Sequence, residues 1–167
     1  MNNAATAPLN TFTATLTFKD HLEHFSANRV KLQEFLTQSG TFWAIKGFED
    51  TINPETQSTE INTLQFYLSK TDRPVMLDLI PPKVLPQIAP NSAGYYKLED
   101  SPDDDDNEVD AAYEFPCTQG KIFFVPFLTP QRWGAIFDFN VKAPNAETFN
   151  IKGVFDVTGP FVPTDLR

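Results

Sequence analysis

Eight of the chain's 22 acidic residues fall between Glu99 and Asp110, in the run EDSPDDDDNEVD. Carboxylates at alternating positions can wrap one hard cation with oxygen ligands. Asp103, Asp105, Asn107 and Glu114 stand at positions 1, 3, 5 and 12 of such a calcium loop. Position 6 needs Gly for the sharp turn, yet it holds Glu108, and Pro102 and Pro116 lie where an EF-hand has helices. The run therefore reads first as a solvated acidic loop, then as a calcium site, then as a loop that meets a basic partner.

His21 and His24 are three apart, so on a helix they would share a face and could share a metal. No third ligand lies nearby, and the plainer reading is two exposed residues in a first helical turn. Cys117 follows Pro116 and has no His beside it in sequence to act as the base that a thiol nucleophile needs. Trp133, between Arg132 and Gly134, reads as core or edge packing, or as a residue that stacks on a sugar or anchors an interface. Trp43, between Phe42 and Ala44, reads as core. No G-x-S-x-G, P-loop or G-x-G-x-x-G pattern occurs, and no carboxylate pair is singled out for glycosidase chemistry. The sequence assigns no catalytic, cofactor-binding or metal residue. The expectation is a protein that is not an enzyme.

With the acidic run set aside, the charge of the remainder is almost balanced: 22 acids less 8 leaves 14, against 13 Lys and Arg. The whole chain carries −9, which disfavours long-range attraction to nucleic acid or anionic lipid, and no segment strings Lys and Arg together. At 167 residues the chain fits one domain, burying roughly 70% of its unfolded surface. Its 16 Phe serve burial, and 14 Pro against 7 Gly predict many stiff turns and edges. Cys117 is the single Cys, so no internal disulfide forms. The start MNNAATAPLN lacks the basic and apolar regions of a secretion signal, and no apolar run approaches the roughly 20 residues that span a bilayer.

The elements that must position these residues follow from periodicity. Residues 1–10 read as a flexible arm, and 11–167 as a single β-rich domain with an acidic loop at 99–110. Phe12, Ala14, Leu16 and Phe18 alternate with Thr11, Thr13, Thr15 and Thr17, the pattern of a half-buried strand. Asp20 with Glu23 resembles a capping box, and Leu22, Phe25, Arg29, Leu32 and Leu36 follow at spacings of 3, 4, 3 and 4. These predict a helix over about 21–38 that docks on a sheet. Further strands are predicted at 41–48, 61–68, from Val75, and at 121–128, the last interrupted by Pro126. Tyr95 and Tyr96 lie just before the acidic run. Ala135, Phe137, Phe139, Val141 and Ala143 alternate with Asp138, Asn140 and Lys142. Phe149, Ile151, Gly153, Phe155 and Val157 alternate with Asn150, Lys152, Asp156 and Thr158. The short loop 144–148 between these runs predicts an antiparallel hairpin. The predicted fold is mainly β: an antiparallel β-sandwich or barrel with one packed α-helix near the N-terminus.

Two segments carry a family resemblance. GTFWAIKGFEDTINPETQSTEINTLQFYL resembles the start of the major tail tube proteins of long-tailed phages, and GAIFDFNVKAPNAETFNIKGVFDVTGP is similar to their closing hairpin and exit. Together they cover about a third of the chain. The resemblance implies a β-sandwich virion protein without catalytic residues or cofactor. It also implies partners that are further copies of the chain, in hexameric rings stacked into a tube, and other virion proteins, assembled in the host cytoplasm. In such a tube the acidic loop would face the lumen, where like charge keeps DNA from sticking. A capsid-associated subunit is the other virion reading. The alternative class is a lectin-like or other ligand-binding sandwich, using Trp133 and Tyr95–Tyr96, with calcium at the acidic loop.

Overall fold

The computed structural model describes residues 10–37, 40–69, 75–81, 91–100, 111–125, 132–143, 145, 147–158 and 162–165. Among these residues eleven strands run in chain order: β1 Thr11–Thr17, β2 Leu22–Ser26, β3 Arg29–Thr37, β4 Gly40–Ile52, β5 Thr59–Ser69, β6 Met76–Leu79, β7 Ser92–Asp100, β8 Ala111–Phe124, β9 Arg132–Lys142, β10 Thr148–Thr158 and β11 Val162–Asp165. They pair in the order β11-β3-β4-β5-β7-β8-β9-β10-β1-β2, with β6 added to β8. Every pairing is antiparallel except β11 with β3.

The long sheet folds over on itself because β8 serves two partners. Residues 111–116 pair with β7, and residues 117–124 pair with β9. The register slips between Cys117 and Gln119, where a β-bulge bends the strand. This divides the sheet into a front layer (β2, β1, β10, β9, the second half of β8, β6) and a back layer (β11, β3, β4, β5, β7, the first half of β8). At the opposite side the chain steps from β2 to β3. There the Ala27 N–H donates to the Phe12 carbonyl and the Asn28 N–H to the Phe48 carbonyl.

The core lies between the layers and is built on Phe. Phe12, Phe137, Phe139 and Phe155 of the front layer meet Phe66 of the back layer, with ring centroids 4.9–6.1 Å apart. Each such ring taken from water contributes about 1.5–3 kcal/mol. The alternating runs of β1, β9 and β10 supply these rings from one face, as the period of two requires.

The helix expected over 21–38 is replaced by β2 and β3, and the described residues contain no helix. The 3-4-3-4 spacing is an accident of two short strands joined through a break at Ala27–Asn28. Phe25 sits opposite Ala14 on β1, and Leu32 opposite Ile45 on β4, both buried. Each strand has a preformed sheet edge to pair with, and this outweighs a weak local helix preference. Asp20 and Glu23 cap no helix. They flank the β1–β2 turn, which closes with the Phe18 N–H donating to the His21 carbonyl.

The first half of β8, β7 and β11 were not predicted as strands. Tyr95 and Tyr96 lie within β7 and point to opposite faces. Tyr95 faces the core side and is buried, while Tyr96 is on the outer face of the back layer.

Candidate functional site

The outer face of the front layer carries two rows of side chains that run across the strands. One is apolar. Val154 on β10 pairs with Ile136 on β9, Ile136 with Phe123 on β8, and Phe123 with Met76 on β6. All four are open to solvent, at 45%, 57%, 43% and 42% exposure. An isolated exposed apolar residue needs no explanation, but four in register across four strands form a contiguous stripe. Val125, also exposed, stands two residues beyond Phe123.

The second row lies two residues along each strand and is charged. Lys152 pairs with Asp138, Asp138 with Lys121, and Lys121 with Asp78. The signs alternate along it. Lys152 Nζ lies 3.4 Å from Asp138 Oδ2, an exposed ion pair of the kind that contributes about 0–1 kcal/mol. A shallow hollow of about 370 Å³ opens beside this row, lined by Asp78, Gln119, Lys121, Asp138 and Asn140. The stripe is bounded on its other side by Arg132, which grips Asp156 with two hydrogen bonds of 2.8 and 2.5 Å. Arg132 holds the Asp156 carboxyl below the usual carboxylate range.

A second feature is an aromatic cleft of about 560 Å³ where the β1–β2 turn meets β7, β8 and the β9–β10 loop. Phe18, Tyr95, Phe115 and Phe149 form its apolar wall, with Phe18 stacked on Phe149 at 4.5 Å and Tyr95 on Phe115 at 5.6 Å. Asp20, His21, Glu23, Lys97 and Glu147 supply charge around it. His21 lies flat on Phe18, with ring centroids 4.5 Å apart and planes 3° from parallel. Its Nδ1 is 2.7 Å from Asp20 Oδ1 and its Nε2 is 3.2 Å from Glu23 Oε1.

Hydrogen bonding to Asp20 first, and to Glu23 second, raises the His21 pKa above its ordinary value. The same bond lowers that of Asp20. A raised folded-state pKa stabilises the fold below the unfolded histidine value, and that contribution is lost as pH rises through the folded value. For Asp20 the contribution is present above the unfolded carboxyl value and is lost as pH falls through the lowered folded value. The β1–β2 turn is therefore tightest at mildly acidic pH, between the two titrations. An NMR titration is expected to place His21 above the ordinary histidine value, and Asp20→Asn to bring it down. A His21 pKa unchanged by Asp20→Asn would refute this.

Of the residues singled out by sequence, Asp103, Asp105 and Asn107 lie outside the described residues, as does most of the acidic loop expected over 99–110; its first two residues, Glu99 and Asp100, instead end β7, in register with Glu60 and Thr59 of β5. Glu114 lies on the outer face of the back layer, where its Oε1 accepts a 2.8 Å hydrogen bond from the Tyr96 hydroxyl. Burial pushes the Tyr96 phenol upward, and the Glu114 bond adds to this. His21 sits in the β1–β2 turn and lines the aromatic cleft, whereas His24 lies on β2 opposite Thr15 and does not line it. Cys117 is fully buried at the β8 bulge, and burial pushes its thiol up to about 12. Trp133 is core: it is 3% exposed and packs edge-on against Trp43 at 6.2 Å and Phe124 at 5.7 Å. Neither Trp133 nor Tyr96 lines the cleft; Tyr95 does. Among the described residues no group of three His, Cys, Asp or Glu is placed to hold a metal ion.

The apolar stripe was missed by sequence reading, although its signal is present. Ile136 and Val154 sit at polar-face positions of the alternating runs of β9 and β10, and each breaks its alternation. No protein-family model, curated protein or solved structure matches the chain.

Proposed function

We propose that the chain is a non-enzymatic structural protein that assembles with copies of itself. The observation that carries this reading is the apolar stripe Val154–Ile136–Phe123–Met76, exposed on the outer sheet face beside a row of charges. Leaving such a stripe in water forgoes burial worth about 25 cal/mol per Å², and covering it recovers that free energy. Within this class the tail-tube resemblance favours a phage virion component, either a tail-tube or a capsid-associated subunit, that also meets other virion proteins. Light scattering on purified protein, with negative-stain imaging, tests the class. A defined multiple of the chain mass, or rings and tubes, is the expected result. A monomer at every accessible concentration would sink it.

The aromatic cleft favours a second reading, a ligand-binding module. Rings flanked by carboxylates suit a sugar, whose apolar face stacks while its hydroxyls donate to Asp20, Glu23 or Glu147. A monomer whose unfolding temperature rises with added saccharide would favour this reading over assembly.

A further inference from the structure

We infer that the front face binds the same face of a second copy about a two-fold axis that runs parallel to the strands, between β8 and β9. This rests on the reading that the chain self-associates and names the contact. The order of charges selects it. A closed dimer uses one patch twice, so the patch must complement itself. Two sheets that dock face to face can be related by an axis along the strands or by one across them. An axis across the strands keeps each strand opposite its own copy, placing Lys152 on Lys152 and Asp138 on Asp138. An axis along the strands reverses the strand order. Lys152 then meets the partner copy's Asp78, and Asp138 meets its Lys121, so every facing pair in the row is opposite in sign.

The same operation treats the apolar row consistently. Ile136 meets the second copy's Phe123, and Val154 meets its Met76. Packed sheets keep their strand directions within about 30°, so the rows diverge towards their ends. The central pairs nearest the axis, Ile136 with Phe123 and Asp138 with Lys121, keep their alignment best. The hollow beside Asp138 and Asp78 offers room for the incoming lysines.

Size permits the contact. At about 3.3 by 4.8 Å per strand residue, the strands that this axis sets against one another, β10, β9, β6 and the second half of β8, give a footprint of roughly 540 Å² before side-chain relief. Specific interfaces bury on the order of 800 Å² per partner. A two-fold contact closes at two copies, so larger closed assemblies need a second, different contact and contain an even number of chains in all.

The experiment is light scattering on the full chain and four variants, with circular dichroism to confirm folding. Wild-type protein is expected at twice its 18.8 kDa mass or an even multiple. Ile136→Lys places a charge at the centre of the stripe and is expected to halve that mass. Asp138→Lys and Lys121→Asp each set like charges across the axis and are expected to do the same. The double variant Asp138→Lys with Lys121→Asp restores opposite signs across the axis and is expected to recover the dimer. An assembly untouched by Ile136→Lys overturns this contact while leaving self-association standing. A folded double variant that stays dissociated overturns the two-fold geometry. Monomeric wild-type protein overturns both the contact and the proposed function.

Discussion

Phe66→Ala is expected to cost about 3–5 kcal/mol of folding stability, the range for deleting a buried aromatic ring. Phe66 projects from β5 of the back layer and is completely shielded from water. Its ring meets Phe12, Phe137, Phe139 and Phe155, which come from three strands of the front layer. Removing it takes away the contact that ties the layers at their centre. The rings around the hole are held by long antiparallel strands and can collapse only partly, so the cavity term adds to the transfer term. Urea unfolding followed by fluorescence measures the effect, and a loss below about 1 kcal/mol would show that the layers are not held together there.

Gly153→Ala is expected to approach or exceed the upper end of the roughly 1–3 kcal/mol typical of overpacking, although it adds a single methyl group. Gly153 lies on β10 between Ala14 of β1 and Phe137 of β9. A Cβ there would run into the Thr13 carbonyl oxygen, and would lie 2.6 Å from Phe137 Cζ and 2.8 Å from the Ala14 Cα. Two of those three atoms belong to the backbone of a paired strand. Relief requires β1 to move away from β10, which breaks ladder hydrogen bonds. Lys142→Ala, at an exposed position on the neighbouring β9, is the control and is expected to stay within about 0.5 kcal/mol. Similar unfolding midpoints for the two variants would refute the close approach of β1 and β10.

The sites differ in how far they could be read in advance. The β9–β10 hairpin was legible because Phe137, Phe139, Val141, Ile151, Phe155 and Val157 repeat with period two, and that period needs no knowledge of neighbours. The 21–38 segment was misread because a 3-4 spacing also arises when two short strands meet at a break. Trp133 could be read as core or surface, because an aromatic entering a strand is buried or exposed according to what lies across the sheet. The aromatic cleft joins Phe18, Tyr95, Phe115 and Phe149, whose sequence separations carry no periodic signal.

The sequence by itself determined the β class, the concentration of negative charge between Glu99 and Asp110, and which faces of β1, β9 and β10 turn inward. These depend on local composition and on the alternation of neighbouring residues. Only the tertiary structure decided which strands are neighbours, and so whether Ile136, Val154, Phe123 and Met76 stand as scattered exceptions or as one stripe. The same holds for Lys152, Asp138, Lys121 and Asp78, whose alternating signs exist only once β10, β9, β8 and β6 lie side by side. The physical reason is that a strand's hydrogen-bond partners come from distant parts of the chain. Alternation tells a residue which way to face but not what to face beside.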